Sequence, residues 1–428
     1  MSAVLNLSII HGWVPIAMLV AGAAGLIWLV ARRSVRYLVI VVPLTVVTTV
    51  IVIAVARWYI EDVWRRFPEA IPLSVYVWAG VALLGILLAI PRLFTRAVPL
   101  GHRAITVIAA VLVVLLGLTF INVHFASYPT LRAALGLDHV ESVDLNGVPR
   151  GSTVPLAKWS APQGLPERGR VASAAIPGSA SHFDARPAEV YLPPAYFAQP
   201  RPLLPVLVLL AGQPGSPSDW LTSVQMVGTL DDFAAHHHGV TPVVIVADGT
   251  GTELDNPLCM DSRLGNAATY LTADVAAWAK TNLQVEQPRD KWAVGGLSYG
   301  GTCALQLAVN YPDMYPTFLD MSGQYEPTLG DRRTTVQAAF GGDQGRFEGV
   351  NPVDLLRRKQ YPNVSGVFLV GADDGQYRPG LEKVYTLARG AGMNVRFTTV
   401  PGGHSFGVWS QGFAAQLPWL ANRLGVTA

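Results

Sequence analysis

Polar positions almost vanish from the first part of the chain. Four apolar runs follow one another there, roughly Ile9–Ala31, Tyr37–Ala56, Leu73–Ile90 and Ala104–Ile121, none with an acid or base in its middle. Each is close to the ~20 residues that a helix needs to cross hydrocarbon. Four in succession, joined by short charged loops, predict an all-α transmembrane domain over residues 1–125 rather than the buried helices of a soluble core. No positive residue precedes the first run, and no small-x-small site is followed by a mature domain. The run therefore reads as a retained anchor, not a cleaved signal.

The pattern then changes. Residues 126–169 read as a linker with a short helical stretch at Tyr128–Leu137. Beyond Arg170, apolar β-rich runs alternate with helical ones. Val171–Ala175, Ala188–Leu192, Val206–Leu210, Val243–Ala247, Trp292–Gly295, Thr317–Met321, Gly366–Val370 and Val395–Val400 read as strands, several of them continuously apolar as in parallel strands buried on both faces. Tyr270–Thr281, Gly300–Tyr311 and Arg378–Gly390 read as helices. The alternation predicts a mostly parallel, doubly wound sheet in a catalytic domain spanning 170–428.

Composition agrees with a partly membrane-embedded chain. Of 428 residues only 14% are charged, about half the ~25% of an ordinary soluble domain. A net charge of +2, with no arginine-rich helix or nucleic-acid motif, excludes a nucleic-acid partner. Basic residues set the orientation. The first loop has Arg32, Arg33 and Arg36, the third Arg92, Arg96 and Arg103, and the N-terminal tail none. The second loop, Arg57 to Pro72, offsets Arg57, Arg65 and Arg66 with Glu61, Asp62 and Glu69, and mixes in Trp58, Tyr59, Trp64 and Phe67 as a segment at the outer lipid interface does. Loops one and three then face the cytoplasm, and the catalytic domain lies outside a multi-pass plasma-membrane anchor. There Cys259 and Cys303 either pair or stay separate buried thiols; two cysteines so far apart make neither a disulfide scaffold nor a zinc site.

The strongest chemical signal is Gly296-Leu297-Ser298-Tyr299-Gly300, after a strand and before a helix. This is the setting of a nucleophile elbow, in which the serine sits on a turn so tight that its neighbours two away must lack side chains. Chain order in such sites is serine, acid, histidine. Of nine histidines only His404 follows Ser298, in Gly402-Gly403-His404-Ser405-Phe406 at a strand end. The acid should end the preceding strand, where Asp373 and Asp374 compete; the Gly-x-x-Asp spacing favours Asp374. An oxyanion hole needs two backbone N–H donors. One is expected from Tyr299 and the other from Ala211-Gly212-Gln213-Pro214-Gly215-Ser216, where Pro214 has no N–H and Gln213 is the candidate. The acidic stretch with Glu253, Asp255 and Asp261 is a solvated surface or, through Asp255 and Asp261, a recognition site for a cationic substrate group. His236-His237-His238 fan out around a helix and make a poor metal site. Asp184 and Arg186 read as a structural pair, and Phe406 and Trp409 as packing beside His404. No metal or organic cofactor is implied.

Leu210-Ala211-Gly212-Gln213-Pro214-Gly215 resembles the His-Gly-x-Pro-Gly oxyanion segment of the esterase D family of α/β hydrolases, which includes the actinobacterial mycolyltransferases; Ala211 stands where many relatives have histidine. Cys259-Met260-Asp261-Ser262, Gly265-Asn266, Tyr270-Leu271, the elbow through Gly301 and Ser322-Gly323 are similar to that family as well, over about residues 170–425. The resemblance implies an α/β-hydrolase fold, a Ser298–His404–Asp374 triad and an acyl-enzyme. Beside a membrane anchor, the expected substrate is a lipid or glycolipid ester of the membrane or cell envelope, aminoacyl-phosphatidylglycerol being one case. Transfer of the acyl group to another alcohol, as in mycolyltransferases, and a non-catalytic receptor on a hydrolase fold are the competing expectations. Oligomeric state is left open.

Overall fold

A computed structural model describes residues 2–67, 70–94, 99–137, 140–287 and 289–427. Glu69 and Arg96 of the loop readings lie outside the described residues. The chain forms two compact units, Met1–Asp138 and His139–Ala428.

Among the described residues, the first unit holds four helices long and apolar enough to cross a membrane: α1 (Trp13–Val30), α2 (Tyr37–Trp64), α3 (Leu73–Leu93) and α4 (Leu100–Phe125). Leu29, Leu88, Ala109 and Val113 form their small common core. The last carbonyls of a helix have no partner within it. At the end of α1 they are satisfied from α3, where the Arg92 guanidinium donates to Leu29 O at 3.0 Å and Ala31 O at 3.2 Å. The Tyr37 hydroxyl donates to Leu29 O as well, at 2.8 Å. The structure corrects one boundary. Helix α2 does not stop at Ala56 but continues through Trp64, so Arg57–Trp64 is helical rather than loop. An Arg57–Glu61 pair at 3.0 Å, one turn apart, supports the extension.

The second unit is built on an eight-stranded sheet. Its strands are β1 (Arg170–Ala174), β2 (Ala188–Leu192), β3 (Val206–Leu210), β4 (Val243–Ala247), β5 (Trp292–Leu297), β6 (Thr317–Met321), β7 (Ser365–Gly371) and β8 (Asn394–Val400). They lie in the order β8-β7-β6-β5-β3-β4-β2-β1. All pairs are parallel except β1–β2 and β2–β4. Successive strand residues face opposite sides, so Val206, Val208 and Leu210 enter one core layer while Leu207 and Leu209 enter the other. Helices α6 (Val275–Asn282), α7 (Tyr299–Asn310) and α8 (Arg378–Gly390) cover the first layer. Helices α5 (Met226–His236) and α9 (Phe406–Arg423) cover the second. The sequence reading did not include α5 or α9. Pro418 inside α9 breaks the donor pattern that marks a helix.

The stretch read as a linker is partly ordered on this unit. Val171 exchanges backbone hydrogen bonds with Glu141 and Val143 at 2.8 and 2.9 Å. Thr153–Pro155 pairs in parallel with Arg201–Leu203.

Candidate active site

The nucleophile candidate stands where β5 ends and α7 begins. Ser298 has φ 53° and ψ −119°, a conformation that costs a non-glycine residue free energy and persists only when its surroundings impose it. Its amide donates to Met321 O on β6 at 2.8 Å. Adding a Cβ to Gly296 would drive it into the Gly300 carbonyl, and a Cβ on Gly300 would meet the Leu210 carbonyl. The glycine spacing in the sequence thus has a steric cause in the packing of β3, β5 and α7.

His404, on the turn after β8, reaches both partners. Its Nε2 lies 2.9 Å from Ser298 Oγ and its Nδ1 lies 2.9 Å from Asp374 Oδ2. A carboxylate only accepts, so Nδ1 carries the proton and Nε2 presents its lone pair to the serine hydroxyl. The other carboxylate oxygen of Asp374 accepts from the Tyr377 amide at 3.0 Å. Asp374 is buried and meets His404, whereas Asp373 is exposed. The imidazole is clamped on a face and an edge. Tyr377 stacks on it at 3.8 Å between ring centroids, and Trp409 meets it edge-on at 4.8 Å. Trp409 is itself fixed by a 3.1 Å bond from its indole N–H to Ser322 Oγ, so its role here is packing. Tyr377 was not singled out in the sequence; its only signal there is a position three residues after the acid, the spacing of a turn closed by an aspartate side chain.

The oxyanion candidates sit on braced backbone. Tyr299 opens α7, where N–H groups lack helical acceptors and the helix dipole favours negative charge. Gly212 faces the elbow, since a Cβ there would come 3.5 Å from Ser298 Cβ. The Trp220 indole donates to Leu210 O at 3.1 Å, and the Ser216 amide to the Asp219 carboxylate at 3.0 Å. The Gln213 side chain donates to Leu254 O at 2.8 Å, and the Gly215 amide to Glu253 O at 3.2 Å.

Those last two bonds tie this loop to the acidic stretch. Asp255 directly follows Leu254. Both oxygens of Asp261 accept from Thr269, at 2.9 Å from the amide and 2.6 Å from the hydroxyl. Burial first and Asp261 second push up the phenol of Tyr311, which follows the far end of α7 from Ser298. Cys259 and Cys303 form a disulfide, with 5.4 Å between their Cα atoms. It joins this stretch to α7. Beside it the Tyr299 hydroxyl donates to Gly249 O and accepts from the Cys259 amide, both at 3.1 Å, while burial raises its pKa and keeps it a neutral donor.

Arg186 pairs with Asp248 instead of Asp184, at 2.9 Å. Burial alone would raise the Asp248 carboxyl, but the hydrogen bonds from Arg186 outweigh it and hold it below the usual carboxylate range. Two of the three adjacent histidines bond locally: His236 and His237 each meet a backbone carbonyl one turn back. Among the described residues no cluster suited to a metal ion occurs.

The family model described as "Putative esterase" matches residues 179–420. The chain belongs to this esterase family. The enzyme is a serine hydrolase of the α/β-hydrolase fold. An uncharacterized Corynebacterium glutamicum protein is 40% identical over 382 residues, covering 86% of each chain, so the likeness extends beyond the esterase region. Among solved structures, a ferulic acid esterase superposes with a TM-score of 0.53 at 19% identity, covering 60% of this chain and 99% of its own. An S-formylglutathione hydrolase from Agrobacterium tumefaciens gives 0.51 at 17% identity, covering 62% and 99%. At such identities these two speak for the fold.

Proposed function

We propose that the esterase hydrolyses an ester of a membrane or cell-envelope lipid at the outer face of the plasma membrane. The observation that carries this reading is a hydrogen-bonded Ser298–His404–Asp374 chain in the same polypeptide as four helices of membrane-spanning length. Ser298 Oγ attacks the ester carbonyl while His404 Nε2 takes its proton, and Asp374 holds the resulting imidazolium. The amides of Tyr299 and Gln213 receive the oxyanion. His404 then protonates the leaving alcohol. Water, activated by the same imidazole, attacks the acyl-enzyme and releases the acid. Tethering to the bilayer raises the effective concentration of lipid esters over soluble ones.

Asp255, next to the carbonyl that holds Gln213, is the carboxylate we assign to a cationic group on the substrate. An aminoacylated phosphatidylglycerol would supply one. The test is turnover by the purified protein in liposomes containing aminoacyl-phosphatidylglycerols or trehalose mycolates, with Ser298→Ala alongside. Release of free amino acid by the wild type alone is the expected result. Mycolate transfer only when sugar is added would make the enzyme an acyltransferase. Cleavage of short soluble esters but of no lipid would sink the lipid assignment and leave the hydrolase.

A further inference from the structure

Ser322 is fully buried on the turn after β6 and has φ 56°. That left-handed conformation costs a residue with a side chain free energy and is the ordinary place of glycine. The backbone bonds of the turn do not call for a hydroxyl. The Ser322 amide donates to Leu369 O on β7 at 2.7 Å, the Gly323 amide to the Asp320 carboxylate at 2.8 Å, and the Gln324 amide to Thr302 Oγ1 at 2.8 Å. Glycine at 322 would keep all three donors. What serine adds is Oγ, and among the described residues that atom has one hydrogen-bond partner, the Trp409 indole N–H at 3.1 Å.

Trp409 is buried, so without Oγ its N–H would be left a buried donor with no acceptor, which native proteins rarely tolerate. The bond therefore fixes how the indole lies. Held in this way, the ring meets the His404 imidazole at 89° with 4.8 Å between centroids. The imidazole needs such a wall. Its own turn is loosely packed at Gly403, where a Cβ would meet nothing within 4 Å. Yet Nε2 has to stay at its 2.9 Å from Ser298 Oγ for proton transfer.

We propose that Ser322 is a positioning residue for ester hydrolysis: through Trp409 it holds His404 in line with Ser298, and the strained backbone at 322 is kept for the sake of that hydroxyl. Ser322 reaches the reaction only through two other side chains, so its effect falls on kcat and not on KM. The inference rests on the Ser298–His404–Asp374 mechanism.

The experiment is a double-mutant cycle in the full-length protein, read from hydrolysis of a short soluble ester. Ser322→Ala removes the acceptor, and Trp409→Phe removes the N–H while keeping an aromatic ring. Each lowers kcat about tenfold at unchanged KM, short of the ~10²-fold that a 1 Å misplacement can cost. Because the hydroxyl acts only through the indole, the double variant is no slower than Trp409→Phe alone; losses that multiply to about a hundredfold would overturn the relay. An unchanged kcat in Ser322→Ala would overturn it as well. Ser322→Gly guards against misfolding. It relieves the left-handed backbone, so it should melt no lower than Ser322→Ala and still show the same loss of kcat. A Ser322→Gly enzyme as fast as the wild type would show that the hydroxyl is dispensable and sink the proposal. Ser298→Ala separates the inference from the mechanism beneath it. Turnover that survives Ser298→Ala removes the mechanism, whereas abolished turnover there beside a fully active Ser322→Ala removes the Ser322 assignment alone.

Discussion

At the residue scale, two neighbouring aspartates have opposite fates. Asp374 is buried against His404 Nδ1 and Asp373 faces solvent. Asp374→Asn should reverse the preferred tautomer and lower kcat by about 10⁴, as loss of a triad carboxylate does. Asp373→Asn should leave kcat within about twofold, because exposed charges away from the reacting atoms contribute little. Both are read from the hydrolysis of a short soluble ester, and equal losses would show the acid to be misassigned. A third aspartate, Asp320 on β6, is fully buried and accepts one hydrogen bond, from the Gly323 amide. Burial pushes its carboxyl up to about 7 against that bond. The folded chain then keeps this proton to a higher pH than the unfolded chain does, so stability is greatest below the ordinary carboxylate pKa of ~4 and falls as pH rises to about 7, by up to ~4 kcal/mol. Asp320→Asn should raise the melting midpoint near pH 8 and leave it unchanged near pH 4. A midpoint equally shifted at both pH values would refute the linkage.

At the element scale, the site is an assembly of loops that leave one end of a parallel sheet. The elbow was readable because its cause is local: a strand, a serine and glycines at fixed spacing, followed by helical periodicity. The brace around it was not readable. Tyr377 on His404, Trp409 on Ser322, and Leu254 on Gln213 are contacts between segments far apart in sequence. The disulfide belongs to this set. It closes a 44-residue separation, for which chain entropy contributes up to ~4 kcal/mol. It also holds Cys259, whose amide donates to the Tyr299 hydroxyl. Replacing both cysteines by serine should therefore lower the melting midpoint and reduce kcat for the soluble ester, with dithiothreitol reproducing both effects in the wild type. If neither moves, the bond is not a brace.

At the scale of the whole molecule, the prediction concerns sidedness. An outside catalytic unit should be digested by protease added to sealed right-side-out membrane vesicles, without rupture. Protection until detergent is added would reverse the orientation inferred from Arg32, Arg33 and Arg36.

Neighbours along the chain fix four apolar stretches of bilayer length, a β/α alternation whose strands recur almost residue for residue, and the elbow. Elimination added His404, since no other histidine follows Ser298. The folded chain sets what depends on distance. It set Asp374 against His404, joined Cys259 to Cys303, gave Arg186 to Asp248 rather than Asp184, and bonded Asp261 to Thr269. It also carried α2 through Trp64, where an ion pair one turn apart sustains a helix that hydropathy alone would end. The physical reason is common to all of these. Periodicity and turn sterics are written in adjacent residues, whereas which carboxylate meets which cation is fixed only when strands distant in sequence become neighbours in the sheet.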